Sequence, residues 1–302
     1  MKNILSPTIY RGRFAPSPTG PLHFGSLITA ICSYLEAKTR GGEWLVRIEN
    51  LDKSREVPGA SYEILKSLEI FGMEWDNEVI YQDQRKHIYK NALANLEEKG
   101  LTYQCTCTRR EISNSGFAGI NGIVYAGTCR NKTWNGNTPY SIRIKTNNST
   151  IKFNDVLYGT VNQRIESEAG DFIILRSDKV YAYHLAAVVD DAAQKITNIV
   201  RGTDLLNSTP SQIYLQKLLG YSTPIYMHLP IVLNNKGEKL SKQTNAAGLN
   251  LSNPSKQLFE AASFLGQEPP VELLKDNVLS FWSWALLNWS SDKIHKNRPF
   301  VR

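Results

Sequence analysis

An α/β fold is predicted for this chain: a parallel sheet with crossover helices, split by a small insertion and followed by a short helical C-terminal region. Three observations predict it. Residues 10–15 and 44–49 read as buried strands with a helix over 26–39 between them, which is the pattern of a βαβ unit. The same alternation returns after residue 165. Between the two stretches glycine, asparagine and threonine rise, and short alternating runs such as Tyr140-Ser141-Ile142-Arg143-Ile144-Lys145 indicate a β-rich insertion.

The first strand runs into Pro16-Ser17-Pro18-Thr19-Gly20-Pro21-Leu22-His23-Phe24-Gly25-Ser26. Gly20 and Gly25 let the backbone turn sharply and approach a ligand, and His23 sits just before a helix whose positive end faces the turn. Ligands bind where such strands end. Residues 58–71 and 83–99 read as amphipathic helices, the second with Ile88, Leu93 and Leu96 on one face. Residues 172–175, 181–189 and 197–200, with a helix over 210–219, are expected to supply the remaining parallel strands and crossovers. A helix over 254–265, a break at Pro269-Pro270, a helix over 271–288 and a basic tail follow.

Of the 302 residues, 41% are hydrophobic and 10% aromatic, ample for a packed core. Residues 1–10 lack an uninterrupted apolar run, and 278–289 is too short to span a bilayer, so a cytoplasmic protein with no membrane partner is expected. Four cysteines do not make a disulfide framework, and Cys32 reads as core. The net charge of +7 is concentrated: residues 105–164 hold eight basic and two acidic side chains. Arg109, Arg110, Arg130, Lys132, Arg143, Lys145, Lys152 and Arg164 read as a footprint for a phosphate backbone, the alternative being a solvated surface.

A second polar, glycine-containing loop, Asn234-Asn235-Lys236-Gly237-Glu238, ends in Lys239-Leu240-Ser241-Lys242-Gln243. Holding a triphosphate while pyrophosphate is displaced calls for a histidine, close glycine backbone, a helix start and a mobile lysine. The two segments together read as halves of one ATP-handling site that activates a carboxylate, with His23 and Lys242 catalytic and His23, Gly25, Lys239 and Lys242 binding ATP.

Arg13-Phe14-Ala15-Pro16-Ser17-Pro18-Thr19-Gly20 with Leu22-His23-Phe24-Gly25 is similar to the first motif of class I aminoacyl-tRNA synthetases in the glutamyl form, and Lys239-Leu240-Ser241-Lys242 resembles their second. Arg47-Ile48-Glu49-Asn50-Leu51-Asp52, Tyr181-Ala182-Tyr183-His184-Leu185-Ala186, Val188-Val189-Asp190-Asp191 and Val200-Arg201-Gly202-Thr203-Asp204 match in the same order. Ser26 stands in place of the last histidine of the first motif. The resemblance implies a Rossmann-type catalytic domain over 1–104 and 165–243, a basic acceptor-domain-like insertion over 105–164, and a helical region over 244–302 with no anticodon-binding domain. The best fit is the short glutamyl-queuosine tRNA(Asp) synthetase family, understood to glutamylate queuosine in the anticodon of tRNA(Asp).

The same resemblance implies that Arg13 and Arg201 meet the γ-carboxylate of glutamate, Glu49 faces its ammonium and Tyr183 adds a hydroxyl, with Phe14, Ala15, Pro16 and Ser17 lining the pocket. Without it, Arg13 and Glu49 read as a structural ion pair.

Cys105-x-Cys107 and Cys129 offer three thiolates to a tetrahedral metal, zinc by default, in a structural role. Chemistry leaves water, Tyr103 or Tyr125 as the fourth ligand, and the family resemblance favours Tyr125. The expected partners are ATP with Mg²⁺, L-glutamate and a queuosine-carrying tRNA(Asp), for a chain acting as a monomer. The alternatives are a compact glutamyl-tRNA synthetase charging the tRNA 3′ end, a noncatalytic RNA-binding module, or a small-molecule ligase with the same ATP motifs.

Overall fold

The computed structural model describes residues 9–120, 122–132, 136–233 and 247–296. The first parallel unit is β1 (Arg11–Phe14), α1 (Phe24–Lys38), β2 (Glu43–Ile48), α2 (Ala60–Ile70) and β3 (Ile80–Tyr81), with strand order β1-β2-β3. Helix α1 begins at Phe24, not at 26, because His23 is its N-cap: His23 Nδ1 accepts from the Ser26 amide at 3.2 Å. Helix α3 (Lys86–Glu98) leads into the intervening segment.

That segment holds β4 (Thr102–Cys105), α4 (Arg109–Ser115), the hairpin β5 (Phe117–Gly119) and β6 (Gly122–Val124), β7 (Ser141–Ile144), and the hairpin β8 (Thr150–Asp155) and β9 (Gly159–Arg164). After it come β10 (Ile173–Leu175), α5 (Tyr183–Ala193), β11 (Asn198–Gly202), α6 (Thr209–Leu219) and β12 (Ile225–Leu229). Strands β11 and β12 pair in parallel. The Thr197 amide donates to the Arg11 carbonyl at 3.0 Å, so β11 starts beside β1. Strand order therefore reverses between β1 and β11, and a crevice opens at their carboxyl ends, where open α/β sheets bind ligands.

Two expectations are corrected. Residues 172–175 do not join the parallel sheet: β10 pairs antiparallel with β7, which pairs antiparallel with β4. Strand β7 is buried at Ile142, Arg143 and Ile144, so both of its edges need a partner, and β10 takes the second one. The helix expected over 271–288 is divided into a short 3-10 turn, Val271–Leu274, and α8 (Val278–Asn288). Asn277, its side chain accepting from the Ser280 amide at 3.0 Å, is a stronger helix start than the apolar periodicity around it.

Apolar side chains cover both faces of the sheet. On one, Leu27, Ile31 and Leu35 of α1 pack with Phe281 and Trp282 of α8 and Phe264 of α7 (Pro254–Phe264). On the other, Tyr89, Leu93 and Leu96 of α3 meet Leu185 and Val188 of α5 and Ile213 of α6. Two indoles fix the C-terminal helices to the first unit: Trp282 Nε1 donates to the Phe71 carbonyl at 2.8 Å, and Trp289 Nε1 to Glu36 at 2.7 Å. Gly72, at φ +70°, lies under Trp282, where a Cβ would stand 2.6 Å from Val278. Among the described residues no helix is long and apolar enough to cross a membrane.

Candidate active site

Two adjoining cavities open at the strand reversal. One, of about 450 Å³, is lined by Phe14 to Ser17, His23, Gly25 and Ser26. Gly202, Asp204 and Pro230 to Val232 complete it. The other, of about 250 Å³, is lined by Glu49 to Asp52, Arg176 and Val180 to Tyr183. Ser17 and Thr19 border both. The turn between β1 and α1 forms that border and is pinned from behind, since Pro16 O accepts from the Glu49 amide at 3.0 Å and Pro18 O from the Val57 amide at 2.9 Å. Gly20 takes φ +133°, which lets the turn close onto the helix start.

His23 thus lies at the positive end of α1 and on the wall of the larger cavity, a setting for phosphate. Phe14 contributes through its backbone: its ring is buried and stacks on Trp44 at 6.2 Å between centroids. Lys239 and Lys242 lie outside the described residues.

Arg13 and Arg201 stand on the two strands that flank the reversal, each 4% exposed. The described ion pairs do not join Arg13 to Glu49. Instead Arg13 Nε donates to Asp191 Oδ1 at 3.1 Å, Arg47 Nη1 donates to the same oxygen at 2.7 Å, and Arg47 Nη2 reaches Glu49 Oε1 at 3.1 Å. Four buried charges form one chain, with Asp191 holding Arg13 and Arg47 holding Glu49. Burial alone would raise the Asp191 carboxyl, but the guanidinium groups of Arg13 and Arg47 hold it below the usual carboxylate range. Burial leaves Glu49 above that range despite the guanidinium groups of Arg47 and Arg13.

Tyr183 starts α5 at the rim of the smaller cavity, 37% exposed, which leaves its ring accessible to a ligand. The His184 ring packs tilted against those of Tyr183 and Phe172, and burial, followed by the charge of Arg201, brings its imidazole down to about 4. Sequence reasoning quoted Arg47, His184 and Asp191 within motifs but gave them no role. Arg47 is nonetheless a charged residue in a strand whose burial runs from Trp44 to Ile48, and a charge there must be paired.

The cysteines meet away from these cavities. The sulfurs of Cys105, Cys107 and Cys129 lie within 4.8 Å of one another, with 3.5 Å between Cys107 and Cys129. Tyr125 Oη is 3.4 Å from both Cys105 and Cys107. Metal–sulfur and metal–oxygen bonds of about 2.3 and 2.0 Å imply tetrahedral edges of about 3.8 Å between sulfurs and about 3.5 Å from sulfur to oxygen. The donor set fits such an ion. Tyr103 is engaged elsewhere, its hydroxyl donating to Asp171 at 2.7 Å. Burial, and then hydrogen bonds with the three thiols, raise the Tyr125 phenol, so a metal bound through its oxygen would have to displace that proton.

The basic footprint is smaller than its composition. Arg143 is buried with its guanidinium 3.9 Å from the Tyr125 ring centre, and Arg130 pairs with Glu166. Arg109, Arg110, Lys132, Lys152 and Arg164 are exposed.

A family profile for tRNA synthetases class I (E and Q), catalytic domain, matches residues 10–257. A Chromobacterium violaceum protein named glutamyl-Q tRNA(Asp) synthetase is 49% identical over 290 residues, which is 96% of this chain and 97% of the relative. A protein of the same name from Janthinobacterium is 50% identical over 93% of this chain and 97% of its own length. The fold also matches a glutamate tRNA ligase from Elizabethkingia meningosepticum, solved in complex with its amino acid, with a TM-score of 0.80 and 26% identity. That match covers 97% of this chain and 67% of the ligase. With such identity along nearly the whole length of both partners, this chain belongs to the glutamyl-Q tRNA(Asp) synthetase family within the class I tRNA synthetases.

Proposed function

We propose that this chain activates L-glutamate with ATP and transfers the glutamyl group to queuosine in the anticodon of tRNA(Asp). The observation that carries the reading is that Glu49 and Tyr183 line one cavity and His23 the one adjoining it at the reversal of strand order, with Arg13 joined to Glu49 through Asp191 and Arg47. The two cavities are the proposed places of the amino acid and the triphosphate.

In the first step an α-carboxylate oxygen of glutamate attacks the α-phosphorus, the bond to the bridging oxygen breaks, and pyrophosphate leaves with the electron pair. His23, at the start of α1, stabilises charge on the phosphates, and Lys239 and Lys242 from the second motif share that role. Mg²⁺ bound to ATP neutralises further phosphate charge. Arg13 and Arg201 hold the γ-carboxylate, Glu49 the ammonium and Tyr183 a polar edge of the substrate, while Ala15, Pro16 and Ser17 line the pocket. In the second step a hydroxyl of the queuosine diol attacks the activated carbonyl carbon, AMP departs with the electron pair and its phosphate takes up the hydroxyl proton, a reaction that needs positioning more than a protein nucleophile.

Zinc is the proposed occupant of the cysteine cluster, bound by Cys105, Cys107, Cys129 and Tyr125. It would hold together a segment with little apolar surface of its own. The exposed arginines and lysines around it suit an RNA backbone. Queuosine as acceptor, in place of a tRNA 3′ end, is supported by the relatives of that name, which this chain matches over 97% of their length, against 67% for the glutamate tRNA ligase.

The test is incorporation of labelled glutamate with ATP and Mg²⁺ into purified tRNA(Asp), with and without queuosine, and into tRNA(Glu). Label on queuosine-containing tRNA(Asp) alone is expected. Label on tRNA(Glu) makes the protein a compact synthetase, and no label on any RNA refutes transfer altogether.

A further inference from the structure

Arg201 is held by a buried relay that the proposed reaction does not use. Its Nε donates to His228 Nε2 at 3.0 Å, its Nη1 to Gln212 at 2.7 Å and its Nη2 to the Thr209 hydroxyl at 2.6 Å. The opposite ring nitrogen of His228, Nδ1, lies 2.6 Å from Asp155 Oδ2. Both side chains of that last pair are fully buried. A guanidinium only donates, so His228 Nε2 must accept, and the single imidazole proton sits on Nδ1 toward Asp155. Asp155 therefore selects the tautomer that can bind Arg201. Its other oxygen is fixed by the amides of Leu157 and Tyr158, both at 3.0 Å.

We infer that Asp155 and His228 are positioning residues for glutamate recognition: they fix the Arg201 guanidinium plane and leave its remaining N–H bonds for the substrate's γ-carboxylate. The inference rests on the reading that Arg201 binds glutamate. Arg201 has five N–H donors, and three are committed to His228, Gln212 and Thr209. Arg201 lies on β11, His228 on the neighbouring β12, and Asp155 at the end of β8, which pairs in parallel with β12. The relay thus crosses three strands: Arg201 is opposite His228, and Asp155, opposite Tyr226, reaches His228 two positions along β12. Asp155 also balances the buried positive charge of Arg201 through a neutral ring, so Arg201 does not need a carboxylate that would compete with the ligand.

The test is glutamate-dependent ATP–pyrophosphate exchange by the full chain and two variants. Asp155→Asn keeps the shape but removes the selection of tautomer. His228→Gln keeps an amide within reach of Arg201 and is the milder change. Losing an oriented bond to a charged group predicts a rise of about tenfold to a hundredfold in KM for glutamate with Asp155→Asn, and a smaller rise with His228→Gln. KM for ATP stays within about twofold, and the preference for glutamate over glutamine falls by a factor similar to that in KM. A purely structural role would lower melting temperature and active fraction while leaving KM for glutamate and that preference unchanged, which overturns the inference. Wild-type protein without glutamate-dependent exchange overturns the proposed reading of the site, and the inference with it.

Discussion

Replacing Asp191 with asparagine keeps the shape of the side chain and removes one buried charge. Its Oδ1 accepts from Arg13 at 3.1 Å and from Arg47 at 2.7 Å, and the residue is 4% exposed. Each hydrogen bond to a charged group contributes about 1.5–3 kcal/mol, and unpairing a buried ion costs about 3–5 kcal/mol in all. Asp191→Asn should therefore lower unfolding free energy by about 3 kcal/mol or more, a large part of the roughly 5–15 kcal/mol typical of a domain. Urea unfolding followed by tryptophan fluorescence, with Trp44 wholly buried beside β1, reports it as a midpoint lowered by about 1 M. The same variant frees Arg13, so KM for glutamate rises as well. Lys256→Gln, which breaks the surface pair with Glu260 from its exposed side, is the control and should change stability by less than about 1 kcal/mol. An Asp191→Asn protein within about 1 kcal/mol of wild type would refute the argument that this carboxylate holds the two arginines.

Three further outcomes are expected. His23→Ala should lower the rate of glutamate-dependent ATP–pyrophosphate exchange by about a hundredfold or more, as for removal of a preorganised group at a site of developing charge, and melting temperature by a few degrees, because the N-cap of α1 is lost with it. The purified protein should carry one zinc per chain by elemental analysis, and Cys129→Ser should lose it together with the protease resistance of the segment around β5 and β6. Stability should begin to fall as pH drops below the ordinary histidine value of 6.5, because His184 is held down to about 4 and the unfolded chain takes up that proton first. A second decline follows in more acid solution as Asp191, depressed below the carboxylate range, is protonated, and pH-dependent melting curves separate the two.

The strand-turn-helix that presents His23 was legible because it is local: strand, glycine, helix start and histidine follow one another within a few residues. The proposed glutamate pocket was legible only as a set of residue types. Without the resemblance Arg13 and Glu49 read as an ion pair, yet each is held by a third residue: Glu49 by Arg47, two positions earlier in the chain, and Arg13 by Asp191, 178 positions away, where no local signature announces it. His228 shows the same limit: within Tyr226-Met227-His228-Leu229 it reads as one polar residue in an apolar strand, and only the pairing of β8 with β12 brings Asp155 to it. The antiparallel place of β10 was hidden for a related reason. A three-residue apolar strand fits either sheet, and its neighbours in space decide which. The cysteine cluster stood between the two cases, since spacing suggested the thiolates but the fold was needed to bring Tyr125 to them.

The two indole hydrogen bonds that bind α8 and Trp289 to the first unit have a consequence for biosynthesis. Glu36 and Phe71 are made early, and their partners Trp289 and Trp282 lie more than two hundred residues later. Until those tryptophans have left the ribosome, α1 lacks the cover that α8 gives it, and a nascent chain leaves part of the apolar cluster around Leu27, Ile31 and Leu35 open. The helix that His23 caps is thus among the first pieces synthesised and among the last to be sealed.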